Sequence, residues 1–258
     1  MKVVACVKIV PDEQDIIVKD DKTLSFSQNW KISEYDQNAI EVGAQIAESV
    51  GADLFALTLG GEAVENSKLK KGILSRGVTE LFSVCDEAAS DADTYSSAQV
   101  LAAAIAKIGA VDLVICGEGS GDRYSQQVGN YLGYLLGYAV LNAVSSIALD
   151  SDRLKVGRAL EGCIEVLELP LPAVLSVTSD VAKARIPGLK EIMAAGKKPS
   201  TVWSLADVGS EISEHTSIQS TLAPDSVERE MVIIEGDGDE QIKELAQYIK
   251  KSYVGGGG

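Results

Sequence analysis

The 258-residue chain has a single histidine, His215, set among polar residues. Its four cysteines, Cys6, Cys85, Cys116 and Cys163, form no CxxC pair. Without a His cluster or paired Cys, no ligand set has the spacing that zinc needs, and no metal is expected. The same scarcity leaves no Ser/His/Asp set to assemble, and no pair of carboxylates has a spacing that demands acid–base work. Each cysteine lies in or beside an apolar run, so all four read as buried, reduced thiols. No segment approaches the ~20 apolar residues of a membrane span. The opening MKVVACVKIVPD reads as a first strand rather than a signal peptide, and a cytoplasmic location is expected. Basic residues are also few, 23 against 38 acidic ones, a net charge of −15. A chain this acidic is repelled by phosphate backbones and anionic membrane surfaces, so neither nucleic acid nor membrane is an expected partner.

Hydrophobic residues make up 46%, enough for a substantial core without disulfides or metals. The first half alternates strand and helix signals. Val3–Val7 is a β-branched run, and Ile16–Val18 and Leu24–Phe26 flank a turn-like Asp20-Asp21-Lys22, as in a small hairpin. A helix is predicted over Asp36–Ser49, with Ser33 and Asp36 as a capping-box-like start and Gly51 past its end. Leu54–Leu59 reads as a strand, Glu62–Leu74 as a helix, Glu80–Cys85 as a strand. Asp93 caps an apolar helix, Tyr95–Ile108, and Val111–Cys116 reads as a strand buried on both faces. A helix over Tyr124–Leu136 follows. Val140–Leu149, Arg153–Leu160, Cys163–Leu169 and Ala173–Thr178 are strands joined by short turns. Residues 200 to about 230 read as irregular, and a strand, Met231–Glu235, and a helix, Asp239–Tyr253, finish the chain. The pattern predicts an α/β fold: a doubly wound, mostly parallel sheet with an antiparallel edge and an extended C-terminal arm. Residues 1–199 form the α/β domain, 200–254 an arm packing on a partner, and 255–258 a glycine linker.

Open α/β sheets bind ligands outside the carboxyl ends of their strands. Here the richest such end is Gly117-Glu118-Gly119-Ser120-Gly121-Asp122, where glycines let backbone N–H groups approach a phosphate. Ser125, Gln126 and Gln127 fall in the first turn of the predicted helix, where an anion gains from the helix dipole. Such a turn is neither a Walker A loop nor a GxGxxG fingerprint, and many βα turns of this kind bind nothing.

Four segments carry a more specific signal: VACVKIVPDEQDI, CGEGSGDRYSQQVG, VGRALEGCIEVLELPLPAVLSV and RIPGLKEIMAAGKKP. In order and spacing the chain resembles the β subunit of electron-transfer flavoproteins over about residues 1–250. Val156, Arg158, Glu161, Gly162, Glu165, Leu167, Pro172, Val174, Leu175 and Ser176 occupy the family signature, while Cys163 departs from it. The wording of the first two segments is similar to the branch linked to nitrogen fixation and carnitine metabolism. The resemblance implies an AMP in this chain, or a second FAD in electron-bifurcating members, and a redox-active FAD in a partner α subunit. The implied nucleotide pocket comprises Cys6, Ser33, Glu34, Tyr35, Asp36, Leu59, Gly60, and Asp122, Arg123, Tyr124, Ser125, Gln126, Gln127, Val128 and Gly129. The Gly117, Gly119, Ser120 and Gly121 turn would cradle phosphate, and backbone near Cys6 and Leu59 would hold adenine. Asp122-Arg123-Tyr124-Ser125 departs from the family's usual acidic wording; Arg123 either pairs with a phosphate or fills the space of a second flavin.

The resemblance further implies that residues 184–198 dock an acyl-CoA dehydrogenase-type partner, with Leu189 as anchor flanked by Ile186, Ile192 and Met193. Read without it, this segment is an amphipathic helix packed on the core. It is also locally basic, with Lys183, Arg185, Lys190, Lys197 and Lys198 against Glu191. Glu13 and Tyr35 align with positions facing the α-subunit flavin. Three functions stay open: an AMP-scaffolded carrier subunit, a bifurcating subunit whose FAD accepts hydride from NADH, and a stand-alone adenine-nucleotide-binding or hydrolysing protein.

Overall fold

In the first strand Val3, Ala5 and Val7 alternate with Val4 and Cys6, and all five are buried. A strand apolar on both sides belongs inside a sheet covered on both faces. In the computed structural model this segment, β1 (Lys2–Val7), lies within a nine-stranded sheet. The structure describes residues 1–26, 29–150, 153–213, 215–225 and 231–255. After β1 come β2 (Ile9–Pro11), a hairpin of β3 (Ile17–Val18) and β4 (Leu24–Ser25), β5 (Trp30–Ile32) and α1 (Glu34–Val50). The alternating half continues with β6 (Asp53–Gly60), α2 (Ser67–Leu74), β7 (Glu80–Cys85), α3 (Thr94–Ile108), β8 (Leu113–Gly117) and α4 (Val128–Leu136). Then follow β9 (Ala139–Asp150), β10 (Arg153–Leu160), β11 (Cys163–Pro170), β12 (Ala173–Val177), α5 (Leu189–Ala195), β13 (Ser200–Trp203), α6 (Leu205–Val208) and α7 (Asp239–Gly255).

The strand order is β11-β10-β9-β12-β8-β1-β6-β7-β13. All pairings from β9 through β12 to β13 are parallel, and β9, β10 and β11 form the antiparallel edge. The alternation seen in β1 separates two cores. Val3, Ala5 and Val7 pack with α1, α2 and Ala195 of α5. Val4 and Cys6 pack with α3, Leu132 of α4 and Leu205 of α6. This is the doubly wound architecture expected, with the order reversing at β1, between β6 and β8.

Several local expectations shift. The helix expected over Glu62–Leu74 is a 3-10 turn, Glu62–Glu65, followed by α2, because the Asn66 side chain caps a new start through the Lys68 and Leu69 amides. The helix expected from Tyr124 starts at Val128, because Tyr124 and Gln126 adopt left-handed backbone, φ +44° and +56°. Residues 200–208, read as irregular, supply β13 and α6: Ser200–Trp203 pairs with β7, and Ser204 and Asp207 form a capping box. By its internal contacts the chain divides into Met1–Thr221 and Leu222–Gly258. In the second unit Met231–Glu235 forms no strand, having no ladder partner among the described residues. Helix α7 carries Ile242, Leu245 and Ile249, all exposed, at the spacing of one apolar stripe. Cys6 and Cys116 are buried, whereas Cys85 is half-buried and Cys163, on the edge strand, is exposed. Among the described residues no helix is long and apolar enough to cross a membrane.

Candidate functional site

A cavity of about 960 Å³ opens where β1, β6 and β8 end, at the point where the strand order reverses. That is where an open α/β sheet leaves a crevice, because the chain departs from adjacent strand ends in opposite directions. Its floor includes Cys6 and Cys116, which sit on neighbouring strands. The hydrogen bond with Cys116, together with burial, pushes the Cys6 thiol well up. The Cys6 thiol therefore stays protonated and packs rather than acting as a nucleophile.

Asp36 ties two of the strand ends together. Its Oδ2 accepts the Lys8 N–H at 2.8 Å, beyond β1, and its Oδ1 accepts the Gly117 N–H at 3.2 Å, at the end of β8. The expected capping box is therefore absent. Ser33 sits at the N-cap of α1 without capping it, and its Oγ accepts from the Gly121 N–H at 3.3 Å. Burial pushes the Asp36 carboxyl up to about 7, against the Lys8 and Gly117 amides, the Lys8 charge and Ser33, which favour the anion. A carboxyl that is readily neutral can border an anion-binding cavity without repelling its ligand. Gly117 is required here by close approach: a Cβ would lie 2.8 Å from the Tyr35 carbonyl carbon and 2.7 Å from Asp36 Oδ1.

Two cations reach the cavity. Lys8 pairs with Asp122 at 2.6 Å, and Arg123 pairs with Asp91 at 3.0 Å and donates to the Ala92 carbonyl. Burial works to raise the Asp122 carboxyl, but the Lys8 ammonium and the Ser120 hydroxyl hold it below the usual range. The amides at the start of α4, Val128 and Gly129, also border the cavity. They precede the first intrahelical acceptor pairing, in which Tyr131 donates to Gln127, and so are available to an anion. Ser125 and Gln126, expected in the first turn of a helix, line the cavity from the loop that precedes α4.

Of the other residues singled out, Asp36, Leu59, Gly60, Gly117, Gly119, Ser120 and Arg123 line the cavity. Ser33, Glu34, Tyr35, Gly121, Asp122, Tyr124 and Gln127 lie around it without lining it. The Tyr124 ring folds back over Gly119, where a Cβ would come within 2.5 Å of it, and packs on Tyr35 at 5.0 Å between centroids. Gln127 accepts from the Thr94 hydroxyl at 2.9 Å, which joins the α4 start to α3. Glu13 sits outside, paired with Lys31, whose hydrogen bond lowers its pKa. Lys8, just past the end of β1, also lines the cavity, as do the stretch Glu62–Asn66, Thr94 and Ser97, which went unselected in the sequence. Lys8 had a legible signal, its place just past a buried strand; the others arrive through long-range packing.

The segment expected to dock a partner is not core. Ile186 is 91% exposed, Leu189 75%, Met193 69% and Ile192 44%. Gly188 precedes α5 and Leu189 opens it, so the Pro187-Gly188 turn presents Leu189 outward. The signature residues Arg158 and Glu165 face each other across β10 and β11, with Arg158 also donating to Asn142 at 2.7 Å. These contacts link β9, β10 and β11 of the antiparallel edge.

The fold and the crevice define a doubly wound α/β protein with a cavity at its topological switch point. The family model of the electron transfer flavoprotein domain matches residues 22–208, well over half of the chain, and the protein belongs to that family.

Proposed function

We propose that the chain is the β subunit of a heterodimeric electron-transfer flavoprotein. It binds AMP structurally at the switch-point cavity, and an α subunit carries the redox-active FAD. Its docking segment engages an acyl-CoA dehydrogenase-type flavoprotein, so that the α-subunit FAD shuttles electrons. The observation that carries this reading is the cavity at the ends of β1, β6 and β8, where Lys8, Arg123 and the first amides of α4 converge. Cations and free amides recognise phosphate. The apolar Leu57, Leu59 and Leu101 in the same lining suit a flat base. Membership of the family supports an electron-transfer role. Variants Lys8→Met and Arg123→Met, separately and together, test the site. Acid extraction of the purified double variant should release less than about a tenth of the wild-type AMP, a loss of ~1.4 kcal/mol or more in binding. Stoichiometric AMP retained by the double variant would place the nucleotide elsewhere.

A second reading rests on size. A cavity of about 960 Å³ is larger than a mononucleotide requires and stands at the upper end of small-molecule pockets, ~300–1,000 Å³. This favours a second FAD in this chain, accepting hydride from NADH in an electron-bifurcating complex.

A further inference from the structure

The docking segment has almost no core of its own. Within α5 only Ala195 is buried, and a helix of seven residues does not hold itself together in water. Two cations of the basic run hold it from its two ends. Before the helix, Arg185 turns inward onto α1. Its Nε donates to Glu41 Oε2 at 2.7 Å, its Nη2 to Glu41 Oε1 at 3.2 Å, and its Nη1 to Glu48 Oε1 at 2.6 Å. The Arg185 main-chain N–H adds a bond to Glu41 Oε2 at 3.1 Å, and Asn38 fixes the Ala182 carbonyl at 2.6 Å. Glu41 is buried, so this fork sits in a setting where charge-assisted bonds are strong. After the helix, Lys198 donates to the Leu74 carbonyl at 2.8 Å and to the Val78 carbonyl at 2.6 Å. Leu74 ends α2, where a carbonyl lacks an intrahelical donor. The other cations of the run, Lys183, Lys190 and Lys197, are exposed.

We infer that Arg185 and Lys198 are positioning residues that clamp the docking segment to α1 and α2, so that its apolar residues meet a partner already ordered. The basic run is thus two kinds of residue: inward clamps, and outward lysines that face solvent. Ordering the segment before association removes an entropic cost that a partner would otherwise bear. The inference rests on the docking role proposed above.

The test uses the purified protein with any subunit that accompanies it. Arg185→Gln, Arg185→Lys and Lys198→Met are compared by amide hydrogen exchange over residues 186–196. In parallel, KM and kcat for reduction by a flavin-dependent acyl-CoA dehydrogenase are measured. Arg185→Gln should speed exchange in the segment by about tenfold or more and leave α3 and β8 unchanged. KM for the dehydrogenase should rise by a similar factor with kcat preserved. Arg185→Lys, which keeps the charge but loses the fork, should fall between. Lys198→Met acts at the opposite end and supplies the same readout if Arg185→Gln does not fold. Unchanged exchange in both Arg185→Gln and Lys198→Met overturns the inference. Faster exchange with an unchanged KM upholds the clamp and refutes the docking role, so the two fail separately.

Discussion

Asp36→Asn isolates the electrostatics of the site. Asp36 is buried, and its carboxyl is pushed up to about 7. From an ordinary carboxylate near 3.9, this is about three pH units, which at ~1.36 kcal/mol per unit is on the order of 4 kcal/mol. The folded value lies above the unfolded one, so the folded state holds the proton more tightly. The contribution is fully present below about pH 4 and is lost as pH rises through about 7. Asparagine cannot ionise, but its single carbonyl serves only one of the Lys8 and Gly117 amides, a cost of ~1–3 kcal/mol at every pH. Urea denaturation of both proteins from pH 4 to 8 checks this. The stability of wild type minus that of Asp36→Asn should fall by several kcal/mol across that range and level off above pH 7. A difference that stays flat would show that the two backbone donors keep Asp36 ionised throughout, and the argument from burial would be wrong.

Three further outcomes follow from the geometry. Leu189→Ala should weaken transfer to the dehydrogenase by more than tenfold, since an interface anchor carries ~2 kcal/mol or more, while the melting temperature barely moves; a large loss of stability would mean that Leu189 packs in the core. Gly117→Ala should cost ~1–3 kcal/mol of stability and release nucleotide, because its Cβ meets the Tyr35 backbone, whereas Gly121→Ala meets only Val10 at 3.6 Å and should be mild in both assays. Asp93→Ala should cost about 1 kcal/mol as a lost cap, seen as a lower melting temperature, and should speed exchange at His215 and Thr216, whose amides Asp93 accepts. Burial works to raise Asp93, but the Ser96 bonds and those two amides hold it at about 2. This stabilisation is therefore present above about pH 4 and fades as pH falls toward 2.

What the sequence revealed depended on how local each cause was. Glu80–Cys85 and Arg153–Leu160 coincide with observed strands because apolar and β-branched runs bounded by turns specify them directly. The crevice was legible at Gly117–Asp122, where small and polar residues follow an apolar strand run. Asp36 was legible as a helix-start residue, yet its carboxylate serves two strand ends far away in sequence, which no capping pattern announces. Tyr124 and Gln126 look compatible with a helix; their backbone is left-handed, and the Tyr124 ring packs on Tyr35 and over Gly119, contacts distant in sequence or invisible to helix patterning. The basic run around α5 was visible as composition. Only the fold separates Arg185 and Lys198, which face inward, from the lysines that face out.

The most direct test of the account is the stoichiometry of small molecules in the purified complex. Protein is denatured in acid, and the released nucleotides and flavins are separated and counted against each polypeptide. The account predicts one AMP for each copy of this chain and one FAD for each pair with the α subunit. Two FAD per pair with no AMP would move the site to the bifurcating reading, and no adenine nucleotide of either kind would contradict the assignment of the cavity.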